Sequence, residues 1–317
     1  MYKKIKIIVA VALCIAIGVS AVFAFSIRKT IKNESVEVGL GAQNDERYCL
    51  LIIGKDRVSG LADVIMLASL DMAGSRISVM QLPRDTYAEY GNKNHRKLNA
   101  ALASLGGEEK LKEYLASALG IKIDGYISLD LDGFANIVDA VGGVEIEIEK
   151  PLRYDDPEQD LHIALDSGRQ LLDGKTAEMF VRYRSGYSDG DIGRLDAQKK
   201  FLAALFRTLK NNVDIKNIDD LARAVVESVK TDVPLTRAIT LALKALALDT
   251  DSLGFYTMPG EAITSKKTGA SFYVMSAEPT KNMLCEYFGR DERKIDPERL
   301  FAHPEYEDFI KIYESTQ

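Results

Sequence analysis

The chain has only three cysteines and three histidines, and neither set is arranged to hold a soft metal. Cys14 lies in an apolar run, Cys49 in an apolar strand-like segment and Cys285 in a helix-like one. None has the spacing of a zinc site, and the histidines are scattered. A Cys49–Cys285 disulfide and two buried thiols both remain open, with thiols the simpler expectation. A basic surface is also missing. Lys and Arg total 41 against 47 Asp and Glu, a net charge of −6. The chain therefore lacks the electrostatic footprint of a nucleic-acid binder. No segment repeats and none is low in complexity. After the N-terminal region no second run is long and apolar enough to span a bilayer.

One such run is present. Ile7 to Ser26 is uncharged and apolar, long enough as a helix to cross a hydrocarbon core of about 30 Å. Lys3, Lys4 and Lys6 precede it; Arg28, Lys29 and Lys32 follow, so local counts do not set its orientation. A short basic N-terminus normally stays in the cytoplasm, which predicts a single-pass anchor with the bulk of the chain outside the cell membrane. A cleaved signal peptide is the competing reading. Val22-Phe23-Ala24 resembles a cleavage site only weakly, and Leu13 is too large for the position before a lipoprotein cysteine. The expected organisation is a cytoplasmic segment at 1–6, a transmembrane helix at 7–26, a stalk at 27–46, an extracytoplasmic domain at 47–289 and a charged tail at 290–317. About 270 residues beyond the stalk are within range of one large domain. The tail is expected to pack loosely.

Strand and helix patterns alternate. Tyr48–Ile53, Val64–Leu70 and Ile77–Leu82 read as strands, the last two as a hairpin turned by Ala73-Gly74. Ala100–Leu119 has helical spacing and stops at Gly120. Gly125–Asp130 reads as a strand, and Asp132–Val141 as a helix ended by Gly142-Gly143. Val144, Ile146 and Ile148 alternate with glutamates, as in a half-buried strand. Pro151–Gly168 reads as a polar loop. Helices are predicted over Asp173–Val181, Ile192–Leu209, Asn217–Lys230 and Pro234–Leu248, and a strand over Ser252–Met258. The fold class is mixed α/β: a central mixed β-sheet flanked by helices on both faces, with the N-terminal transmembrane helix added.

The chemistry gathers at element ends. Arg182 and Arg184 alternate, so on an extended segment both face one way. Asp191, Arg194 and Gln198 follow at helical spacing, and share one face if a helix begins there. Arginine forks match phosphate oxygens, and a helix start favours anions. These residues point to a phosphorylated or pyrophosphorylated ligand; a solvated charged turn is the plain alternative. Gly54-Lys55-Asp56 closes the first strand, Asp63 opens the second, and Pro83-Arg84-Asp85-Thr86 closes the third. Two carboxylates beside a phosphate suit magnesium, although either aspartate alone is more often a turn residue. Leu102, Leu105, Leu111, Leu115, Leu119, Phe201 and Leu205 could line a lipid groove, and a plain core explains each equally well.

In this ordered set the chain resembles the LytR-CpsA-Psr family of membrane-anchored envelope proteins. The resemblance runs from the anchor to about Lys210 and rests on Gly54-x-Asp56, Asp63, Pro83-Arg84-Asp85-Thr86 and Lys97-Leu98-Asn99-Ala100. It continues through Val141-Gly142-Gly143-Val144, Tyr154-Asp155-Asp156-Pro157 and Leu172-Asp173-Gly174. Arg182-x-Arg184, Asp191-x-x-Arg194 and Gln198 close it. The resemblance implies a magnesium-assisted phosphotransferase that moves a glycopolymer, such as teichoic acid or capsule, from an undecaprenyl-pyrophosphate carrier to peptidoglycan. It implies Asp56 and Asp63 as metal ligands, and Arg84, Arg182, Arg184, Arg194 and Gln198 as pyrophosphate contacts. It likewise implies Asp191 as the residue that activates the acceptor hydroxyl and Arg84 as a second catalytic residue. One departure stands out. The family's usual Arg-Ser-Asp-Thr is replaced by Leu61-Ala62-Asp63-Val64. Without one charged partner, a ligand in a desolvated site is held less tightly by about 2–4 kcal/mol, and Lys55 and Arg57 are the nearby replacements. A non-catalytic polyprenyl-pyrophosphate-binding regulator and a lipid-pyrophosphate hydrolase are the alternative functions.

Overall fold

The computed structural model describes residues 47–55, 60–90, 97–157, 161–183, 218–246, 252–266 and 269–289, with 201, 204, 205, 208, 248, 295, 300 and 309–311. They form a mixed α/β fold with a central mixed sheet and helices. In chain order come β1 (Arg47–Lys55), β2 (Ala62–Asp71), β3 (Arg76–Leu82), α1 (Ala101–Leu105), α2 (Glu108–Leu119), β4 (Gly125–Asp130) and α3 (Leu131–Ala140). Strands β5 (Val144–Ile148), β6 (Leu152–Asp156), β7 (Leu161–Leu165) and β8 (Gly168–Leu172) precede α4 (Gly174–Arg182) and α5 (Ile218–Ser228). Then follow β9 (Lys230–Thr231), α6 (Leu235–Leu246), β10 (Leu253–Thr257), β11 (Gly260–Ser265), β12 (Ser271–Met275), α7 (Ala277–Phe288) and β13 (Phe309–Lys311). The expected anchor, Ile7–Ser26, lies outside the described residues. Among the described residues no helix is long and apolar enough to cross a membrane.

The described residues divide into two compact units, one drawn from Glu46–Ser128 and Tyr256–Gln317, the other from Leu129–Phe255. In the first, β3, β2, β1 and β4 lie side by side, with β1–β2 and β2–β3 antiparallel. Side chains of a strand alternate between faces. Cys49, Leu51 and Ile53 join Ile65, Leu67, Met80 and Leu82 in one core, together with Leu111, Leu115 and Leu119 of α2 and Leu284 and Phe288 of α7. Their neighbours Leu50, Ile52, Met66, Ala68, Ile77 and Val79 point the other way and are buried too. Burial on both faces explains why these strands read as unbroken apolar runs. Among the described residues Cys49 is buried and Cys285 half-buried, and no disulfide joins them. Burial pushes the Cys49 thiol well above its ordinary pKa.

The structure differs from the sequence reading in four places. The single helix expected over Ala100–Leu119 is two helices, because Gly106 (φ 96°) and Gly107 (φ 120°) are both left-handed and break the turn. Gly120 ends the second helix as expected. The β2–β3 hairpin turns through Ala73-Gly74 as expected; Ser75 takes positive φ, and Asp71 Oδ1 accepts from the Gly74 amide at 2.8 Å. The tail is not uniformly loose: Ile295 and Leu300 belong to the core, and β13 pairs with β11. The β11–β12 hairpin has no counterpart in the sequence reading.

The fourth difference lies in the second unit. Leu152–Asp156 and Leu161–Leu165 pair as an antiparallel hairpin inside the stretch expected to be a polar loop. Elsewhere this unit follows its sequence signals. Asp130 caps α3 by accepting from Gly133 N, and β5 alternates buried and exposed residues. Asp173 caps α4, accepting from both the Thr176 amide and hydroxyl. Those two bonds hold its carboxyl below the usual range. Helices α5 and α6 fall where predicted. Gly174 is required by a close approach: a Cβ there would lie 2.3 Å from the Ala135 carbonyl oxygen. Its amide donates to Asp139 Oδ1 at 2.6 Å. Val144 pairs with Leu172, so the glycine-rich end of α3 and the start of α4 form one joint. The predicted helix Ile192–Leu209 lies outside the described residues except at 201, 204, 205 and 208, which are helical. There the Phe201 ring packs 5.5 Å from Phe134 and 6.3 Å from Phe180.

Leu102, Leu111, Leu115, Leu119, Phe201 and Leu205 are all buried, and Leu105 packs partly buried against the same core as α2. The core reading therefore accounts for the apolar residues considered for a lipid groove.

Candidate functional site

The antiparallel pairing of β2 with β3 brings the beginning of one strand beside the end of the other, with Ile65 opposite Leu82. Asp63 and Arg84 thereby become neighbours, and Arg84 Nη1 donates to Asp63 Oδ1 at 2.6 Å. The charges continue along the loop. Arg84 Nε stands 3.9 Å from Asp85 Oδ2, and Lys97 Nζ lies 2.9 Å from Asp85 Oδ1. The Lys97 ammonium also sits 5.5 Å from the centre of the Phe272 ring, a cation–π contact that fixes its direction. Two cations and two carboxylates alternate in one row. Each is between 33% and 40% exposed, open to a ligand yet shielded in part from water.

The backbone beneath them is firmly held. The Asn99 amide donates to the Arg84 carbonyl at 2.9 Å, and the Leu98 amide to the Thr86 carbonyl at 2.9 Å. From the other side, Tyr273 N donates to Asp85 O at 2.9 Å and Tyr87 N to Tyr273 O at 2.8 Å. Thr86 is buried, and its hydroxyl donates to Pro83 O at 2.6 Å. Tyr90 adds a 2.5 Å bond from its hydroxyl to the Lys97 carbonyl, and Tyr273 one of 2.7 Å to the Met258 carbonyl. Burial pushes both phenols up to about 12, so they stay protonated donors at neutral pH. The motifs Pro83–Thr86 and Lys97–Ala100, separate in sequence, are one hydrogen-bonded structure.

The strand start opposite is just as constrained. A Cβ on Gly54 would meet the Val64 Cβ at 2.8 Å, and the register shifts between Gly54 and Lys55. Lys55 pairs with Glu108 Oε1 at 3.2 Å. Glu108 is buried, with 5% of its side chain exposed. The lysine named as a replacement for the arginine missing at Leu61 is thus engaged with a buried carboxylate. Arg57, the other replacement, is outside the described residues.

The remaining site residues are reported by place. Arg182 ends α4 rather than lying on an extended segment, and its Nη1 is 2.9 Å from Glu178 Oε1 one turn back. The chain turns extended only at Tyr183. Arg182 belongs to the second unit, Asp63 and Arg84 to the first. Asp56, Arg184, Asp191, Arg194 and Gln198 lie outside the described residues. Among the described residues no group of three or more His, Cys, Asp or Glu side chains is arranged for a metal. Asp63 fits a hard cation that completes its shell with phosphate oxygens and water, not an all-protein cage. Lys97, Asp85 and Phe272 carried no assigned role in the sequence reading. The signal for the first two was their place inside the resemblance motifs; Phe272 had none.

The chain is similar to known proteins. The LytR_cpsA_psr family model matches residues 20–287. The polyisoprenyl-teichoic acid–peptidoglycan teichoic acid transferase TagV of Bacillus subtilis (strain 168) is 27% identical over 263 residues, 75% of this chain and 66% of TagV. Regulatory protein MsrR of Staphylococcus aureus (strain COL) is 29% identical over 197 residues, 61% of this chain and 58% of MsrR. The chain thus spans less than two thirds of the length of either relative. The crystal structure of B. subtilis TagV superposes with a TM-score of 0.64 at 24% identity, covering 78% of this chain and 98% of that one. That likeness shows a shared fold.

Proposed function

Because this chain belongs to the LytR_cpsA_psr family, we propose that it is a phosphotransferase that moves a glycopolymer from an undecaprenyl-pyrophosphate carrier to peptidoglycan. The observation that carries the reading is the row Asp63, Arg84, Asp85 and Lys97, partly exposed, with Asp63 at the start of β2 and the others on the segment after β3 that backbone hydrogen bonds hold. A row of this kind matches a pyrophosphate, whose oxygens accept from a guanidinium fork and an ammonium. TagV, named as a teichoic acid transferase, supports the same substrate class.

In this reading the peptidoglycan hydroxyl attacks the phosphorus that bears the sugar, and undecaprenyl phosphate leaves. Arg84 and Lys97 neutralise the charge that develops on the phosphoryl oxygens, and their fixed backbone limits reorganisation as it does so. Arg182, Arg184, Arg194 and Gln198 contribute further contacts to the pyrophosphate, and Asp191 accepts the hydroxyl proton. Asp56 and Asp63 would hold a magnesium ion, which would supply charge stabilisation at the phosphate oxygens. Ile7–Ser26 anchors the chain in the cell membrane and leaves the rest extracytoplasmic, where carrier and acceptor meet.

A second reading has specific support. Leu61 occupies the usual arginine position, and MsrR is named a regulatory protein. Both favour a binder of the lipid pyrophosphate that does not turn it over. Incubating the full chain with a lipid-pyrophosphate glycan, peptidoglycan and magnesium separates the cases. Glycan covalently joined to peptidoglycan supports transfer. Lipid phosphate with free glycan phosphate marks hydrolysis, and retention without turnover marks a binder; either defeats the transferase reading.

A further inference from the structure

An arginine fork suited to phosphate is already engaged in this structure. Arg84 Nη1 donates to Asp63 Oδ1 at 2.6 Å, and its Nε faces Asp85. The Lys97 ammonium faces the same Asp85 carboxylate. A carboxylate offers an arginine two oxygens in nearly the geometry that a phosphoryl group offers. Asp63 therefore stands where a ligand oxygen has to go. The backbone on the Arg84 side of this contact is fixed by the bonds to Asn99, Leu98 and Tyr273, so the exchange is confined to side chains.

Taking the site as a pyrophosphate site, as argued above, we infer that Asp63 is an internal competitor for Arg84 and that a divalent cation relieves the competition. A bound cation draws the Asp63 carboxylate to itself, and the Arg84 fork is released to the anion. Anion and cation then bind with positive coupling through one side chain. By linkage each raises the affinity of the other by the same factor. The competition has two parts. Without a cation Asp63 opposes anion binding twice, by holding Arg84 and by like-charge repulsion. With a cation it opposes neither. Lys97 lacks this arrangement, since its partner Asp85 lies on the loop itself and keeps contact with Arg84 Nε as well.

The test uses Asp63→Asn in the full chain in neutral detergent, with inorganic pyrophosphate as the probe and calorimetry as the readout. Asparagine keeps the shape and removes the charge; Asp63→Ala serves as a second variant should the first fold poorly. In chelator, with no divalent cation, Asp63→Asn is expected to bind pyrophosphate about fivefold more tightly than wild type, the scale of a half-exposed ion pair. Magnesium is expected to tighten the wild type and to leave Asp63→Asn nearly unchanged. If pyrophosphate binds through Arg84 but neither variant exceeds wild type in chelator, the competition is refuted while the pyrophosphate reading stands. If wild type and both variants all fail to bind pyrophosphate with and without magnesium, that reading falls and the competition with it.

Discussion

Arg84 and Asp63 meet at 2.6 Å because β2 and β3 are antiparallel and the two residues lie at adjacent strand ends. The contact gives the loop after β3 a defined position relative to the start of β2. It also places the departure at Leu61 two residues from the carboxylate that this arginine holds.

The departure is directly testable. Leu61→Arg is expected to raise affinity for inorganic pyrophosphate about tenfold, equivalent to about 1.4 kcal/mol. Isothermal titration with magnesium present reads the change. A variant that melts like wild type but binds no better would mean that the cations already present satisfy the ligand.

Lys55 gives a contrasting prediction. It faces Glu108, which is buried, so Lys55→Ala is expected to destabilise the fold by about 1–3 kcal/mol. Adding Glu108→Gln should restore part of that stability, and pyrophosphate affinity should be unaffected when compared at equal folded fraction. Denaturant melts with parallel titrations read both quantities. Weaker binding with an unchanged melt would instead make Lys55 the substitute for the missing arginine.

Alkaline pH should loosen the loop. The Tyr90 and Tyr273 phenols are raised from 10.0 to about 12 by burial. A group whose pKa is raised on folding contributes stability fully below its unfolded value and loses it as pH rises through the folded one. Stability should thus hold to about pH 10 and fall towards pH 12. Tyr90→Phe should make that fall shallower while costing about 1 kcal/mol at neutral pH, because the bond to the Lys97 carbonyl is removed. Melting temperature against pH for both proteins is the measurement, and identical slopes would exclude Tyr90 as a contributor.

Arg182 has two candidate roles. Its pairing with Glu178 at the last turn of α4 contributes about 0.5 kcal/mol at most if the role is helical alone. As a pyrophosphate contact, Arg182→Gln should instead weaken binding about tenfold or more with almost no change in melting temperature. A lower melting temperature with binding intact would assign the residue to the helix.

Most elements were legible because their signals are local. The apolar runs of β1 to β3, the Asp130 and Asp173 caps and the alternation in β5 each depend on a few neighbouring residues. Gly106 and Gly107 were equally local, yet the regular leucine spacing around them reads as one helix. The β6–β7 hairpin was hidden by polarity, although Ile163 and Leu165 are buried at strand spacing. In the site, Arg84 and Asp63 stood out as chemistry at strand ends. The bonds from Asn99, Leu98 and Tyr273 could not be read, because a backbone amide carries no side-chain signature and its partner lies far along the chain. Phe272 beneath Lys97 is hidden because the two residues lie far apart in the chain.

The tie between the Pro83–Thr86 loop and Tyr273 also bears on the order of events during synthesis. The first unit is drawn from both sides of Leu129–Phe255, so Tyr273 emerges only after that whole intervening segment. Closing a contact over such a span carries an entropic cost that must be met before the contact returns anything. β1, β2 and β3 can pair early, with Arg84 and Asp63 already side by side. The loop gains its second set of backbone bonds only when β12 arrives. A nascent chain released before Tyr273 would carry the charged row without its full support, and the finished site is therefore among the last parts of the molecule to mature.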